Sequence, residues 1–382
     1  MRFKDGSHFA FMRSYAFVRS ILVVIGGVLV PCRLHAQPTP RIADVDSATV
    51  ARIDSLFSQY DRPDAPGYAI GIVQKDRLVY GRGFGIANLD YEIPITPSSV
   101  FNVASLSKQF TAACIGILIR QGRLSLEDEV KLHLPQFPDF PGPIRVKHLV
   151  YMTSGLPEYF TLKRPAGRSW DLDYFTVDEA IATVLRQPRL RFAPGTEWAY
   201  SNINYMLLAE IVERVSGGSF AEFARREIFE PLGMVSSHFN DDLGIVVPNR
   251  VTGYNVRESG EYQQEIRRSP HFGGSGLFTT VEDLVRWDRS FETHALGGPE
   301  LTALVLSTMK FEHDKANDAF GLVWGSYRGL RTIWYEGGDV GFSSYMVRLP
   351  DERLTVIVLS NLGTGRAGDH AGQILDVLLD GE

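Results

Sequence analysis

The sequence predicts an α/β (α+β) fold: an antiparallel sheet built from the N- and C-terminal segments, flanked by helices, with a mostly helical insertion at about residues 106–262. Three observations carry this. Strand-like runs lie early, at 68–73 and 78–84, and return late, at 331–335, 341–349 and 354–361. The stretch between them, from about 130 to 262, shows helical spacing and loops. Pro350-Asp351-Glu352 reads as a hairpin turn joining the last two strands. Strands at both ends with helices between require one sheet drawn from distant segments.

Residues 45–60 form the first expected helix, with Ile53, Leu56 and Phe57 on one side. Pro63 and Pro66-Gly67 end it. The first two strands flank the turn Gln74-Lys75-Asp76-Arg77, and the glycines of the second hint at a bend or close packing. Residues 93–97 connect to an apolar helix over 111–120, which Gly122 stops. Residues 124–128 begin an acidic, capped turn. Further helices are expected at 146–152, 177–186, 204–215 and 219–229, the last ending before Pro231. Residues 371–379 close the chain as a helix.

Composition narrows the function classes. The chain has 382 residues, 44% hydrophobic and 22% charged, with a net charge of −6. The first 36 residues stand apart. A basic start (Arg2, Lys4, Arg13, Arg19) precedes an apolar run from Ile21 to Val30, then Leu34-His35-Ala36. That order describes an export signal cleaved near Ala36, leaving a periplasmic or secreted domain over 37–382. The run is short of the roughly 20 residues of a membrane span, so no stable insertion is expected once it is removed. The remaining acidic chain offers no electrostatic footprint for nucleic acid. Cys32 lies in the signal and Cys114 in an apolar helix, so no disulfide forms within the mature chain. No metal-ligand spacing stands out among the histidines and cysteines, and no cofactor is implied.

Three polar clusters remain. Ser105 and Lys108 are three residues apart at the start of the apolar helix, one turn along the same face. A partly desolvated lysine can take the serine's proton and make it a nucleophile. Ser307 and Lys310 repeat the spacing, so the pattern alone is weak. Tyr200 and Asn202 sit two apart in a loop after Pro194-Gly195. The phenol could shuttle a proton and the amide could bind a substrate carbonyl or the lysine; a buried tyrosine beside a helix-capping asparagine is the plainer alternative. Glu336-Gly337-Gly338-Asp339 lies between two strands, where glycines permit close backbone approach or simply a hairpin turn.

Taken in order, Ser105-x-x-Lys108, Tyr200-x-Asn202 and x-Gly337-Gly338 resemble the serine beta-lactamase and penicillin-binding-protein superfamily. The nearest branch holds the class C beta-lactamases, DD-peptidases and beta-lactamase-like esterases. Flanking phrases agree, among them residues 101–111, 153–159, 247–254, 273–280 and 341–344. The late Ser307 copy falls outside the order. The resemblance implies a beta-lactamase/transpeptidase-like fold and a serine hydrolase acting on ester, amide or peptide bonds through an acyl-serine. Ser105 would be acylated and Lys108 would share in its deprotonation. Tyr200 would shuttle protons, and Asn202 would orient substrate and lysine. The N–H groups of Ser105 and Asp339 would form the oxyanion hole. Two positions depart from the pattern: Met152 replaces a frequent histidine, and Glu336 replaces a lysine or histidine. A carboxylate at 336 reverses the charge offered to a substrate carboxylate, unless it pairs with an arginine such as Arg331. Two other functions share the motif: a binding protein or sensor that has lost catalysis, and a transferase passing the acyl group to an acceptor other than water.

Overall fold

The computed structural model describes residues 45–163, 174, 176–265, 272–308 and 320–380. The signal-like segment and Lys310 lie outside them. One six-stranded sheet dominates, with strands β1 (Tyr68–Gln74), β2 (Arg77–Phe84), β3 (Val323–Tyr327), β4 (Leu330–Asp339), β5 (Phe342–Leu349) and β6 (Leu354–Ser360). Their order is β3-β4-β5-β6-β1-β2, every neighbour antiparallel. The sheet is thus drawn from both ends of the chain, and the register Tyr68↔Ser360 seals the junction.

The central strands are apolar on both faces because both faces are covered. Tyr68, Ile70 and Ile72 alternate into one core with Val356 and Val358. That core is closed by helix α1 (Ser47–Phe57), which supplies Ile53 and Phe57. Ala69, Val73, Ile357 and Leu359 point the other way, into the larger core. This core is built around α2 (Lys108–Arg120) and α3 (Asn202–Ser216), with α4 (Val281–Thr293) against the sheet. The closing helix α5 (Ala367–Leu379) lies on the α1 side. α1 starts where Asp46 accepts the Thr49 N–H at 2.8 Å. From Lys108 to Leu118 every residue of α2 is buried. At about 1.5–3 kcal/mol for each buried aliphatic side chain, such a helix is held by packing and not by propensity.

Several boundaries move. The turn before Lys108 is a 3-10 turn over Ala104–Ser107, so Ser105 precedes the α-helix proper. α3 begins at Asn202, two residues before the expected start, which puts the asparagine in the first helical turn. The helix expected to end before Pro231 continues through a π turn, Arg225–Phe229, into Glu230–Leu232. Proline lacks only its own donor, and it sits in the last short helical piece, where Gly233 at φ 70 ends the run. Gly337 and Gly338 belong to β4, and the tight turn falls at Val340-Gly341. A hairpin, Gly253–Val256 with Tyr262–Glu265, occupies a stretch expected to be helical or loop-like. The hint from the second strand's glycines holds at Gly83, where a Cβ would lie 1.9 Å from the Ile95 carbonyl oxygen. Cys114 is buried and unbonded, its thiol pushed well above the usual range by burial.

Candidate active site

Ser105 is presented by a strained turn. Ala104, immediately before it, has φ 51, in the left-handed region that alanine rarely occupies. The Ala104 N–H donates to Asn102 Oδ1 at 3.0 Å, and Ser107 Oγ donates to the Ala104 carbonyl. The short strand Leu277–Thr279 pins this turn from the side: Val103 N–H donates to Leu277 O, and Leu277 N–H to Ser107 Oγ, both at 3.0 Å.

Four predicted residues meet here. Ser105 Oγ lies 2.6 Å from Tyr200 Oη. Lys108 Nζ donates to Ser105 Oγ at 3.0 Å and to Asn202 Oδ1 at 2.8 Å. Tyr200 Oη donates to Asn202 Oδ1 at 3.2 Å. With the tyrosine O–H directed at Asn202 Oδ1, Ser105 donates to Tyr200 while accepting from Lys108, and a neutral Lys108 can take the serine's proton across that same contact. The asparagine thus binds the lysine, one of the two roles the sequence left open.

Electrostatics divides the labour. Lys108 is fully buried, and desolvation lowers its pKa to about 7, against the pull of the Glu158 and Asp339 carboxylates. Tyr200 moves the other way. Burial raises it well above the usual phenol range, and Glu158, Glu336 and Asp339 add to the rise, opposed by the Ser105 hydrogen bond. Near neutral pH the amine is the group able to accept a proton, and the phenol remains a proton carrier.

Tyr200 is held by backbone. The Ala199 N–H donates to the Met152 carbonyl at 3.0 Å, so the residue at 152 supports the tyrosine's loop through its main chain. Met152 itself has φ 56.

The third motif completes the wall. A Cβ on Gly337 would lie 2.2 Å from the Val103 carbonyl oxygen, so only glycine lets β4 close on the turn that carries Ser105. Gly338 has open space above its Cα. Glu336 is exposed and within electrostatic reach of Tyr200. Arg331 pairs with Asp351 instead, at 2.7 Å. Ser307, from the stray copy of the motif, donates to the Leu304 carbonyl at 2.7 Å and meets Tyr151 Oη.

Sequence reasoning missed three participants. The Gly274 carbonyl accepts from Lys108 Nζ, and Asn102 supports Ala104. Glu158 Oε2 accepts the Asn202 N–H at 2.6 Å, at the start of α3, and the Phe160 N–H also acts on the carboxylate. Burial raises the Glu158 pKa, the Asn202 N–H and Lys108 opposing. Glu158 lies within residues 153–159 of the family-like sequence, but only the fold reveals its neighbour.

A pH dependence follows. Activity that needs neutral Lys108 rises with pH through about 7. Glu158→Gln keeps an acceptor for Asn202 but removes an anion that stabilises charged Lys108. The acid limb of kcat/KM is expected to move to lower pH. A limb unmoved in that variant, measured with one neutral ester, removes Glu158 from the electrostatics of the lysine.

Among the described residues no group of three or more metal-ligating side chains is present, and no helix is long and apolar enough to cross a membrane. A family model described as Beta-lactamase matches residues 53–379. Penicillin-binding protein 4* of Bacillus subtilis (strain 168) is 32% identical over 304 residues, covering 74% of this chain and 65% of its own length. A D-aminopeptidase of Gluconobacter oxydans (strain 621H) is 28% identical over 313 residues, covering 81% of this chain and 59% of its own length. The chain therefore spans less than two thirds of either relative. The octameric penicillin-binding protein homologue from Pyrococcus abyssi superposes with a TM-score of 0.77 at 25% identity, covering 87% of this chain and 78% of that one.

Proposed function

Because the chain belongs to the beta-lactamase family, we propose that it is a serine hydrolase that cleaves ester or amide bonds through an acyl-Ser105 intermediate. The observation that carries this reading is the continuous hydrogen-bonded unit Ser105, Lys108, Tyr200 and Asn202, with a lysine whose proton affinity lies near neutrality. The Ser105 proton passes into the Lys108–Tyr200 pair as Oγ attacks the acyl carbon. The Ser105 and Asp339 N–H groups receive the developing oxyanion. Tyr200 returns a proton to the leaving alcohol or amine. Water then enters by the same relay, and hydrolysis frees the acid and the serine.

The substrate class follows from charge. Three carboxylates, Glu158, Glu336 and Asp339, act on Tyr200, and two of them, Glu158 and Asp339, also act on Lys108. Glu336 stands where a cation would greet a substrate carboxylate. Neutral short-chain esters and amine-bearing peptides are the substrates this favours, ahead of penicillins and of peptides with a free C-terminal carboxylate. The D-aminopeptidase relative fits that preference.

The test is the ratio of kcat/KM for a neutral ester to that for a cephalosporin. Glu336→Lys is expected to lower the ratio several-fold. Because Glu336 is exposed, the shift should shrink as salt rises. An unchanged ratio, or a wild-type preference for the cephalosporin, removes Glu336 as a specificity residue.

A further inference from the structure

We propose that the Asp339 carboxylate is a positioning residue that clamps the end of β4 to the turn carrying Ser105. The inference rests on the acyl-serine reading above and concerns the side chain, whereas the oxyanion role concerns the backbone N–H.

Asp339 Oδ2 accepts from Asn102 Nδ2 at 3.0 Å and from Ser275 Oγ at 3.2 Å. Its Oδ1 accepts from the Val340 N–H at 2.8 Å. Each donor belongs to a segment with a part in the site. Asn102 uses its other end, Oδ1, to accept the N–H of Ala104, the strained residue before the nucleophile. Ser275 follows Gly274, whose carbonyl accepts from Lys108. Val340 opens the turn after β4. One carboxylate therefore fixes the nucleophile's turn, the lysine's carbonyl partner and the oxyanion strand relative to one another.

The strand needs such a tie. Gly337 approaches the Val103 carbonyl with no side chain of its own between, beside Ser344 Oγ, which donates to that carbonyl at 2.7 Å, and this close packing sets how near the two segments come. It does not set how they slide. Hydrogen bonds to an ionised acceptor are roughly twice as strong as neutral ones and directional. Positive φ at Ala104 persists only where its surroundings over-determine it, and the Asn102–Asp339 pair supplies that. Releasing the clamp displaces the Asp339 N–H from the oxyanion. A misplacement of about 1 Å costs about 10²-fold in rate, and an oxyanion exists only beyond the ground state. The loss should fall on kcat.

The experiment uses the full chain and a neutral p-nitrophenyl ester. Asp339→Ala is expected to lower kcat by about 10²-fold with KM within about three-fold of wild type. Asn102→Asp sets two carboxylates face to face and should be at least as impaired. Combining Asn102→Asp with Asp339→Asn restores one amide facing one carboxylate, and should recover kcat at least about ten-fold over Asn102→Asp alone. A side chain that merely supports folding gives no such rescue. Thermal midpoints of all variants show whether each is folded. The proposal is overturned if Asp339→Ala keeps kcat within about three-fold of wild type, or if the swapped pair is no better than Asn102→Asp. Wild-type protein that neither turns over esters nor takes a fluorophosphonate overturns the acyl-serine reading itself, and this proposal with it.

Discussion

Ser105→Ala is expected to abolish turnover of every acyl substrate, and labelling by a fluorophosphonate, while the protein stays folded. The probe reacts when an activated serine oxygen attacks its phosphorus and displaces fluoride, so it reports the nucleophile without assuming a substrate. Removing Oγ takes one partner from Lys108 and one from Tyr200, yet Lys108 keeps Asn202 Oδ1 and the Gly274 carbonyl, and Tyr200 keeps Asn202. The stability cost should be on the order of 1 kcal/mol. Ser307→Ala is the control: that hydroxyl is spent on the Leu304 carbonyl and should change neither signal. Mass spectrometry of the labelled protein should place the adduct on Ser105. Labelling that survives Ser105→Ala defeats the assignment. A wild-type chain that takes no label and turns over nothing favours the binding-protein alternative.

Lys108→Ala and Tyr200→Phe are each expected to lower kcat by about 10²-fold or more, with the double variant no worse than the poorer single one. Both residues serve one proton, because each contacts Ser105 Oγ and both converge on Asn202 Oδ1. Once either is lost the relay is open, and the second loss removes nothing further. Tyr200→Phe keeps the ring over which Lys108 Nζ sits at 4.9 Å, so its effect isolates the hydroxyl. Lys108→Ala also empties a buried site, so its kinetics should be read beside its thermal midpoint. Additive losses would mean two independent roles and a different mechanism.

What the sequence made legible was local. The three-residue spacing of Ser105 and Lys108 survives the change from α to 3-10 geometry at the turn, because both place residue i+3 nearby. The strand-like runs at 68–73 and 354–361 made a sheet drawn from both ends of the chain legible, and the structure adds that it is covered on both faces. The less legible parts depend on distant partners. Glu158 reads as one acid in a loop until α3 brings the Asn202 N–H to it. Gly274 acts through a carbonyl, which residue identity does not encode. β3 carries Trp324, Gly325 and Ser326, a weak strand signal that becomes a strand by pairing with β4. Asn202 resembled a cap and is helical because Ser201 takes the extended position before it.

The place of β1 in the sheet governs the order in which the molecule can be made. β1 pairs with β2 on one side and β6 on the other, and just beyond it the Gly67 N–H donates to Asn361 Oδ1 across 294 residues of sequence. A ribosome adding about 5–20 residues per second takes roughly 15–60 s to cover that distance. Throughout that interval the β1–β2 hairpin has an open, apolar edge, the kind of surface that templates aggregation. Non-local pairing of this type is also slow to form once the whole chain exists. The nascent protein therefore carries that edge unpaired until the last strand arrives.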